Sequence, residues 1–112
     1  MKRNDITGIL TICRKSGKLI VGMDEVKNSC RCGKAVGVIV TCDLSKNSRS
    51  EISQVCFAEG VQMYVTTLDM EDIGYALGKM YGVMAVTDLG FMNAMKKNLK
   101  KAALDSDSLE CE

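Results

Sequence analysis

Helical and strand-like patterns alternate along this sequence, and glycine marks the boundaries between them. The chain has ten glycines and no proline, so glycine is the residue that ends helices and opens turns. Apolar residues at three- and four-residue spacing predict five helices, and four short apolar runs between them predict four strands. Such alternation predicts an α/β fold with helices on both faces of a sheet, a three-layer α/β/α sandwich.

The spacing of apolar residues also predicts where the elements lie. No linker, repeat or low-complexity segment interrupts residues 4–104, so we expect a single domain over residues 1–104. The last helix is expected to carry Phe91, Met95 and Leu99 on its apolar side and a solvated row of lysines on the other. The predicted strands are residues 19–21, 35–41, 61–65 and 83–86, and the predicted helices begin near residues 5, 23, 45, 69 and 88.

The charges are distributed unevenly between the body of the chain and its last eight residues. The net charge is +1, but residues 105–112 (DSDSLECE) contain four acids and no base. Residues 1–104 therefore hold fifteen bases and ten acids, a net charge of +5. We expect residues 105–112 to be a disordered acidic tail. A moderately basic body permits contact with phosphate groups but does not require it.

Cysteine usage and the absence of long apolar runs indicate the compartment. Six cysteines accompany no histidine, and only Cys30 and Cys32 form a close pair, so a four-ligand metal site is not expected. The longest apolar run, residues 36–40, is far shorter than a membrane span, and the first residues lack an apolar signal core. We therefore expect a cytoplasmic protein with reduced thiols, without metal, cofactor or membrane segment.

Groups that commonly carry catalysis are scarce. The chain has no histidine to act as a general base near neutral pH, and it has no glycine-rich phosphate loop. Cys42 follows a predicted strand and precedes a helix, where the helix dipole could lower the pKa of its thiol. No base accompanies it, so we expect neither an enzyme nor a protein that takes a small-molecule substrate.

The junction between the first strand and the second helix holds the candidate binding residues. Gly22 permits a tight turn into a helix whose first amides point outward and can attract phosphate. Asp24, Glu25 and Asn28 fall on the exposed first turns, and Lys18 and Lys27 add positive charge nearby. Taken alone, these residues favour a simpler role for the two acids, which is to complement the helix dipole.

The run from residue 22 to residue 33, GMDEVKNSCRCG, resembles the signature of the kink-turn-binding ribosomal proteins of the large-subunit L-seven-Ae type. In that family the helix opens with Gly-x-Asn-Glu-x-x-Lys and ends on a glycine at this spacing. Residues 33–52, 72–79 and 83–91 resemble later segments of the family. The resemblance covers about residues 6–99 and is closest to the short bacterial members.

This resemblance implies a sandwich with a four-stranded mixed sheet, and binding of structured RNA by a protein that is monomeric when free. In the family, the opening turn of the second helix reads guanine edges at the sheared G·A pairs of a kink-turn. A loop before the last strand covers an unstacked nucleotide. With the two lysines expected from their charge near the helix opening, the expected RNA-binding residues are Lys18, Gly22, Met23, Asp24, Glu25, Lys27, Asn28, Lys79, Met80, Tyr81 and Val83.

The sequence departs from the family signature at two positions. Glu25 is retained, but Asp24 replaces asparagine and, when ionised, cannot donate to guanine O6. Asn28 replaces lysine, and Lys27 lies about 100° around the helix, where we expect it to reach a phosphate. RNA binding is thus the stronger expectation, in a ribosome-associated or regulatory accessory protein, and kink-turn specificity the weaker. The alternative is a protein-interaction module on the same fold whose RNA site has eroded.

Overall fold

The computed structural model describes residues 6–97 and 99–101, so the predicted acidic tail lies outside the described residues. Five helices alternate with the strands, as the sequence predicts. None of the described helices is long and apolar enough to cross a membrane. The helices are α1 (Ile6–Lys15), α2 (Met23–Arg31), α3 (Lys46–Glu59), α4 (Met70–Leu77) and α5 (Leu89–Lys96), and the strands are β1 (Leu19–Val21), β2 (Gly37–Val40), β3 (Met63–Val65), β4 (Val83–Val86) and β5 (Lys100–Lys101).

The strands form one mixed sheet in the order β1-β4-β2-β3-β5. Strands β2 and β3 are parallel, whereas β4 runs antiparallel to β1 and to β2, and β5 runs antiparallel to β3. The four predicted strands are therefore β1 to β4, and the mixed α/β architecture is confirmed.

The end of the chain corrects the predicted last helix. Helix α5 stops at Lys96, and Lys100 and Lys101 pair with Val65 and Tyr64 on the edge of the sheet. The lysines at 100 and 101 thus belong to a strand and not to the solvated face of a helix. Their spacing suits a helix, but β3 would otherwise present unpaired backbone groups, and pairing with β5 satisfies them.

Both faces of the sheet are covered by helices. Ile39 and Met84 face the layer formed by α1, α4 and α5, where they pack with Leu10 and Met92. Val38 and Val40 face the opposite layer, where Val26 of α2 and Ile52 of α3 cover them. Every residue of β2 and β4 is buried, which explains why these strands are apolar without alternation.

The topology gives the sheet two chemically distinct ends. We call the end at which β1, β2 and β3 finish and β4 begins the Gly22 end, and helices α2, α3 and α4 all begin there. The opposite end, at which β1 and β2 begin and β4 finishes, is the Lys18 end.

Candidate nucleic-acid interface

Gly22 makes the turn from β1 into α2 in a conformation that favours glycine. Its φ is 96° and its ψ is 142°, a region that side chains with a Cβ atom rarely occupy. The Gly22 amide donates to the Val83 carbonyl (3.2 Å), and the Gly22 carbonyl accepts from the Val26 amide (2.9 Å). A Cβ on Gly22 would meet no atom within 4 Å, so the requirement for glycine here is conformational and not steric.

The first turns of α2 present polar side chains outward and keep the opposite face in the core. Asp24, Glu25 and Asn28 are exposed, whereas Val26 is fully buried and Met23 is half-buried. Among the residues that the structure describes, no side chain caps the N-terminus of α2, so its first amides remain open to a ligand. Within residues 6–97 the Glu25 carboxylate forms no ion pair, which leaves it free to accept hydrogen bonds.

The loop between α4 and β4 lies against the same turn. It begins at Gly78, the left-handed residue that ends α4, and it exposes Lys79 and Met80. The Met80 side chain covers Gly74, where an added Cβ would lie 2.9 Å from Met80 Cγ. Tyr81 is half-buried against the cluster beneath α1, α4 and α5, so it is partly packed and only partly available for stacking.

Gly82 fixes the loop to the neighbouring β2–α3 connection. Its carbonyl accepts from the Thr41 amide (3.1 Å), and an added Cβ would lie 2.6 Å from Leu44 Cδ1 and 3.5 Å from Met70 Cε. Leu44 and Met70 therefore form the wall behind this loop. Reasoning from the sequence missed both residues, because nothing in their local pattern indicates which loops meet at this end of the sheet.

The structure thus brings residues 22–28 and residues 79–83 together. The link is direct, since Gly22 bonds to Val83 and since Val21 and Met84 are register partners. We call this combined face, residues 22–28 and 79–83, the Gly22 surface.

The two lysines expected to add positive charge near the opening of α2 are not available beside the Gly22 surface. Lys18 lies at the opposite end of β1, about 13 Å from Gly22 at about 3.3 Å per residue, and its carbonyl accepts from the Thr87 amide. Lys27 forms an ion pair with Glu51 of α3, and its side chain is only 15% exposed. Lys79 of the α4–β4 loop, in contrast, is exposed at this surface.

Carboxylates at the Gly22 end are largely occupied by backbone amides. Asp43 accepts from the Met70 amide (3.1 Å). Asp69 and Asp72 form a capping box at the start of α4, in which the Asp72 amide donates to Asp69 (2.9 Å) and the Asp69 amide donates to Asp72 (3.1 Å). The sequence predicts Asp69 and Asp72 in these positions but gives no sign that Asp43 also serves α4.

Three of the described thiols, Cys13, Cys42 and Cys56, are poorly suited to nucleophilic chemistry. Burial, and secondarily Asp88, raises the pKa of Cys13 to about 11, and burial raises that of Cys56 to about 12. Cys42 is exposed, but its sulfur donates to the Thr67 carbonyl (3.4 Å). Partial desolvation, with the carboxylates of Asp43 and Asp69, raises the pKa of Cys42, whereas the sequence suggested a lowered one.

Comparison with known proteins agrees with this architecture. The family model described as "Ribosomal protein L7Ae/L30e/S12e/Gadd45 family" matches residues 4–98. The large ribosomal subunit protein eL30 of Dictyostelium discoideum is 29% identical over 90 residues, which cover 79% of this chain and 80% of that protein. The eL30B protein of Schizosaccharomyces pombe is 28% identical over 87 residues, 76% of this chain and 74% of that protein.

A solved structure supports the fold independently. The structure of a protein with unknown function from Bacillus halodurans C has a TM-score of 0.77 to this chain at 20% sequence identity, covering 85% of this chain and 96% of that one. The structural similarity shows the fold, and the match of the family model over residues 4–98 shows the family. The chain belongs to the ribosomal protein L7Ae/L30e/S12e/Gadd45 family.

Proposed function

We propose that this protein binds structured RNA through the Gly22 surface, as a ribosome-associated or regulatory accessory protein of the cytoplasm, and that it is not an enzyme. The observation that carries the proposal is the hydrogen bond from the Gly22 amide to the Val83 carbonyl. It makes one continuous face of the α2 N-terminus and the α4–β4 loop. Family membership and the large-subunit relatives support the same ligand class.

Each part of the Gly22 surface suits a different part of a folded RNA. The open amides and the dipole at the start of α2 attract a phosphate. The exposed Glu25 carboxylate can accept from the N1–H and N2–H groups of a guanine. Met80, with the accessible part of Tyr81, offers an apolar cover for an unstacked base.

Kink-turn RNA is the specific ligand that we propose, at reduced affinity. Asp24 cannot donate to guanine O6 when ionised, and Asn28 lacks the charge of a lysine. One poor base contact typically costs about 1–3 kcal/mol, so two would weaken binding by a factor on the order of a hundred or more. The ion pair between Lys27 and Glu51 removes a further cation from the RNA side.

Binding to three RNAs tests the proposal: a kink-turn, the same kink-turn without its G·A pairs, and a plain A-form duplex. Glu25→Ala should weaken binding to the intact kink-turn about tenfold or more and leave plain-duplex binding nearly unchanged. Glu71→Ala is the matched control, because Glu71 is also an exposed acid in the first turn of a helix that begins at this end. Equal affinities of the two variants for the intact kink-turn would refute guanine readout by Glu25.

The alternative is a protein-interaction module on the same fold. The ion pair that engages Lys27 with Glu51 favours this alternative. The double variant Asp24→Asn, Asn28→Lys restores the family signature and separates the two functions. If the wild type binds kink-turn RNA measurably and the double variant binds it more tightly by a few factors of ten, RNA recognition is supported. A gain from no detectable wild-type binding supports the alternative.

A further inference from the structure

The Lys18 end of the sheet carries a second surface, formed by exposed cations that come from two turns. Arg14, Lys15 and Lys18 surround the turn between α1 and β1, and Arg31 and Lys34 surround the turn between α2 and β2. All five side chains are exposed. We call these five residues the Lys18 surface.

The sheet register places the two turns beside each other. Leu19 and Gly37 are both partners of Val86, on opposite sides of β4. Lys18 directly precedes Leu19, and Lys34 lies three residues before Gly37. Two strand spacings, about 10 Å in all, therefore separate the chain segments that carry the cations.

These cations are not neutralised by neighbouring acids. Within residues 6–97 the one ion pair joins Lys27 to Glu51, which are not part of the Lys18 surface. Among the described residues, the acids that face this end are Asp88, whose carboxylate accepts from the Phe91 amide (3.0 Å) at the start of α5, and Glu59 at the end of α3. Five cations therefore face two carboxylates, one of them already engaged.

Helix capping accounts for only part of the cluster. Arg14 and Lys15 lie in the last turn of α1 and Arg31 lies in the last turn of α2, where cations complement the helix dipole. Lys18 and Lys34 lie beyond those turns. Their charges therefore extend the positive surface across the Lys18 end of the sheet.

The Gly22 end has the opposite balance of charge. Asp24, Glu25, Asp43, Asp69, Glu71 and Asp72 all lie there, and the exposed lysines at the start of α3 and in the α4–β4 loop are Lys46 and Lys79. A polyanion is therefore attracted more strongly to the Lys18 end, whereas the Gly22 end offers groups suited to reading base edges.

We propose that the Lys18 surface binds the phosphate backbone of an RNA duplex, separately from the Gly22 surface. Its chemistry fits a polyanion and not a protein partner, because the core of a protein interface is apolar and depleted of lysine. If the Gly22 surface binds RNA as proposed above, the protein joins two RNA segments at opposite ends of a body 32 × 30 × 24 Å in extent.

Binding to a plain A-form duplex across a salt titration tests the surface by itself. The variant Arg14→Gln, Lys18→Gln, Lys34→Gln should lose duplex affinity tenfold or more at low salt. The slope of log affinity against log salt should become shallower by about 2 to 3, at about 0.7–0.9 per phosphate contact. The matched control is Lys46→Gln, Lys96→Gln, Lys97→Gln, which removes three exposed cations outside the surface.

Equal losses in the two triple variants would overturn the proposal, because the effect would then follow net charge and not position. A second result would also overturn the proposal: the protein binds poly-glutamate through Arg14, Lys18 and Lys34 but does not bind the duplex through them. The partner of the surface would then be an acidic protein.

A two-RNA experiment tests whether the surfaces are separate. Kink-turn RNA is immobilised and saturated with the protein, and a labelled plain duplex is added. Capture of the duplex by the wild type and not by the Arg14, Lys18, Lys34 variant supports the proposal, and mutually exclusive binding of the two RNAs overturns it. Failure of the kink-turn to bind at all counts against the proposed function alone, because the duplex titration still tests the Lys18 surface.

Discussion

Lys27 of α2 and Glu51 of α3 form an ion pair at the side of the proposed RNA surface. The Lys27 side chain is mostly covered and that of Glu51 is about half exposed, 15% against 53%. The pair links the two helices that cover one face of the sheet. Lys27 is also the lysine nearest in sequence to Asn28, the position at which the family has a lysine. The ion pair with Glu51 keeps its ammonium group from contacting a ligand bound at the start of α2.

Breaking this pair should strengthen RNA binding. Glu51→Gln frees the Lys27 ammonium and removes a carboxylate, so we expect the affinity for kink-turn RNA to rise several-fold at low salt. The free energy of unfolding should fall by less than about 1 kcal/mol, as for other partly exposed ion pairs. Glu71→Gln removes an exposed acid from the same end without freeing a lysine. An equal gain in that control would show that only the overall charge matters.

The turn at Gly22 should be intolerant of a side chain. Gly22→Ala places a Cβ at a φ of 96°, which should reduce the free energy of unfolding by about 1–3 kcal/mol, measured by urea denaturation. Gly8→Ala is the control, because Gly8 lies within α1 and a Cβ there meets no atom of the described part of the chain within 4 Å. Alanine should stabilise that position by about 0.5–1 kcal/mol. Similar stabilities of the two variants would contradict the strain assigned to Gly22.

Features that depend on neighbouring residues could be predicted from the sequence, and features that join distant parts of the chain could not. The Gly22 turn and the Asp69 cap depend on neighbouring residues, so local patterns identify them. The Lys27–Glu51 pair joins residues 24 positions apart, and strand β5 depends on the free edge of β3. Both the ion pair and strand β5 form only when distant helices and strands have assembled into the fold. The separation of Lys18 from Gly22, in contrast, follows from a local element, because the predicted strand at residues 19–21 lies between them.

High pH should destabilise the protein through its buried thiols. The pKa of Cys13 is raised to about 11 and that of Cys56 to about 12, whereas a cysteine in an unfolded chain titrates near about 8.5. Above that value the unfolded state loses protons that the folded state keeps, so stability is complete below about pH 8.5 and falls as pH rises toward 11. Urea denaturation between pH 7 and pH 10.5 measures the decline.

Variants assign this decline to individual thiols. Cys13→Ala should make the decline with pH shallower, because one buried titrating group is lost. Cys32→Ser removes an exposed cysteine and is the matched control. A decline that is equally steep in all three proteins would show that groups other than Cys13 cause it.

The acidic residues at the end of the chain should oppose RNA binding at long range. Residues 105–112 carry four of the fourteen acids, and without them the net charge rises from +1 to +5. Deleting these residues should therefore raise the affinity for a plain duplex several-fold at about 50 mM salt, with most of the gain lost near 200 mM because salt screens the interaction. Asp105→Asn, Asp107→Asn, Glu110→Gln, Glu112→Gln keeps the length and removes the charge, so it should reproduce the deletion. If deletion strengthens binding and neutralisation does not, the segment acts by occupying space and the electrostatic explanation is wrong.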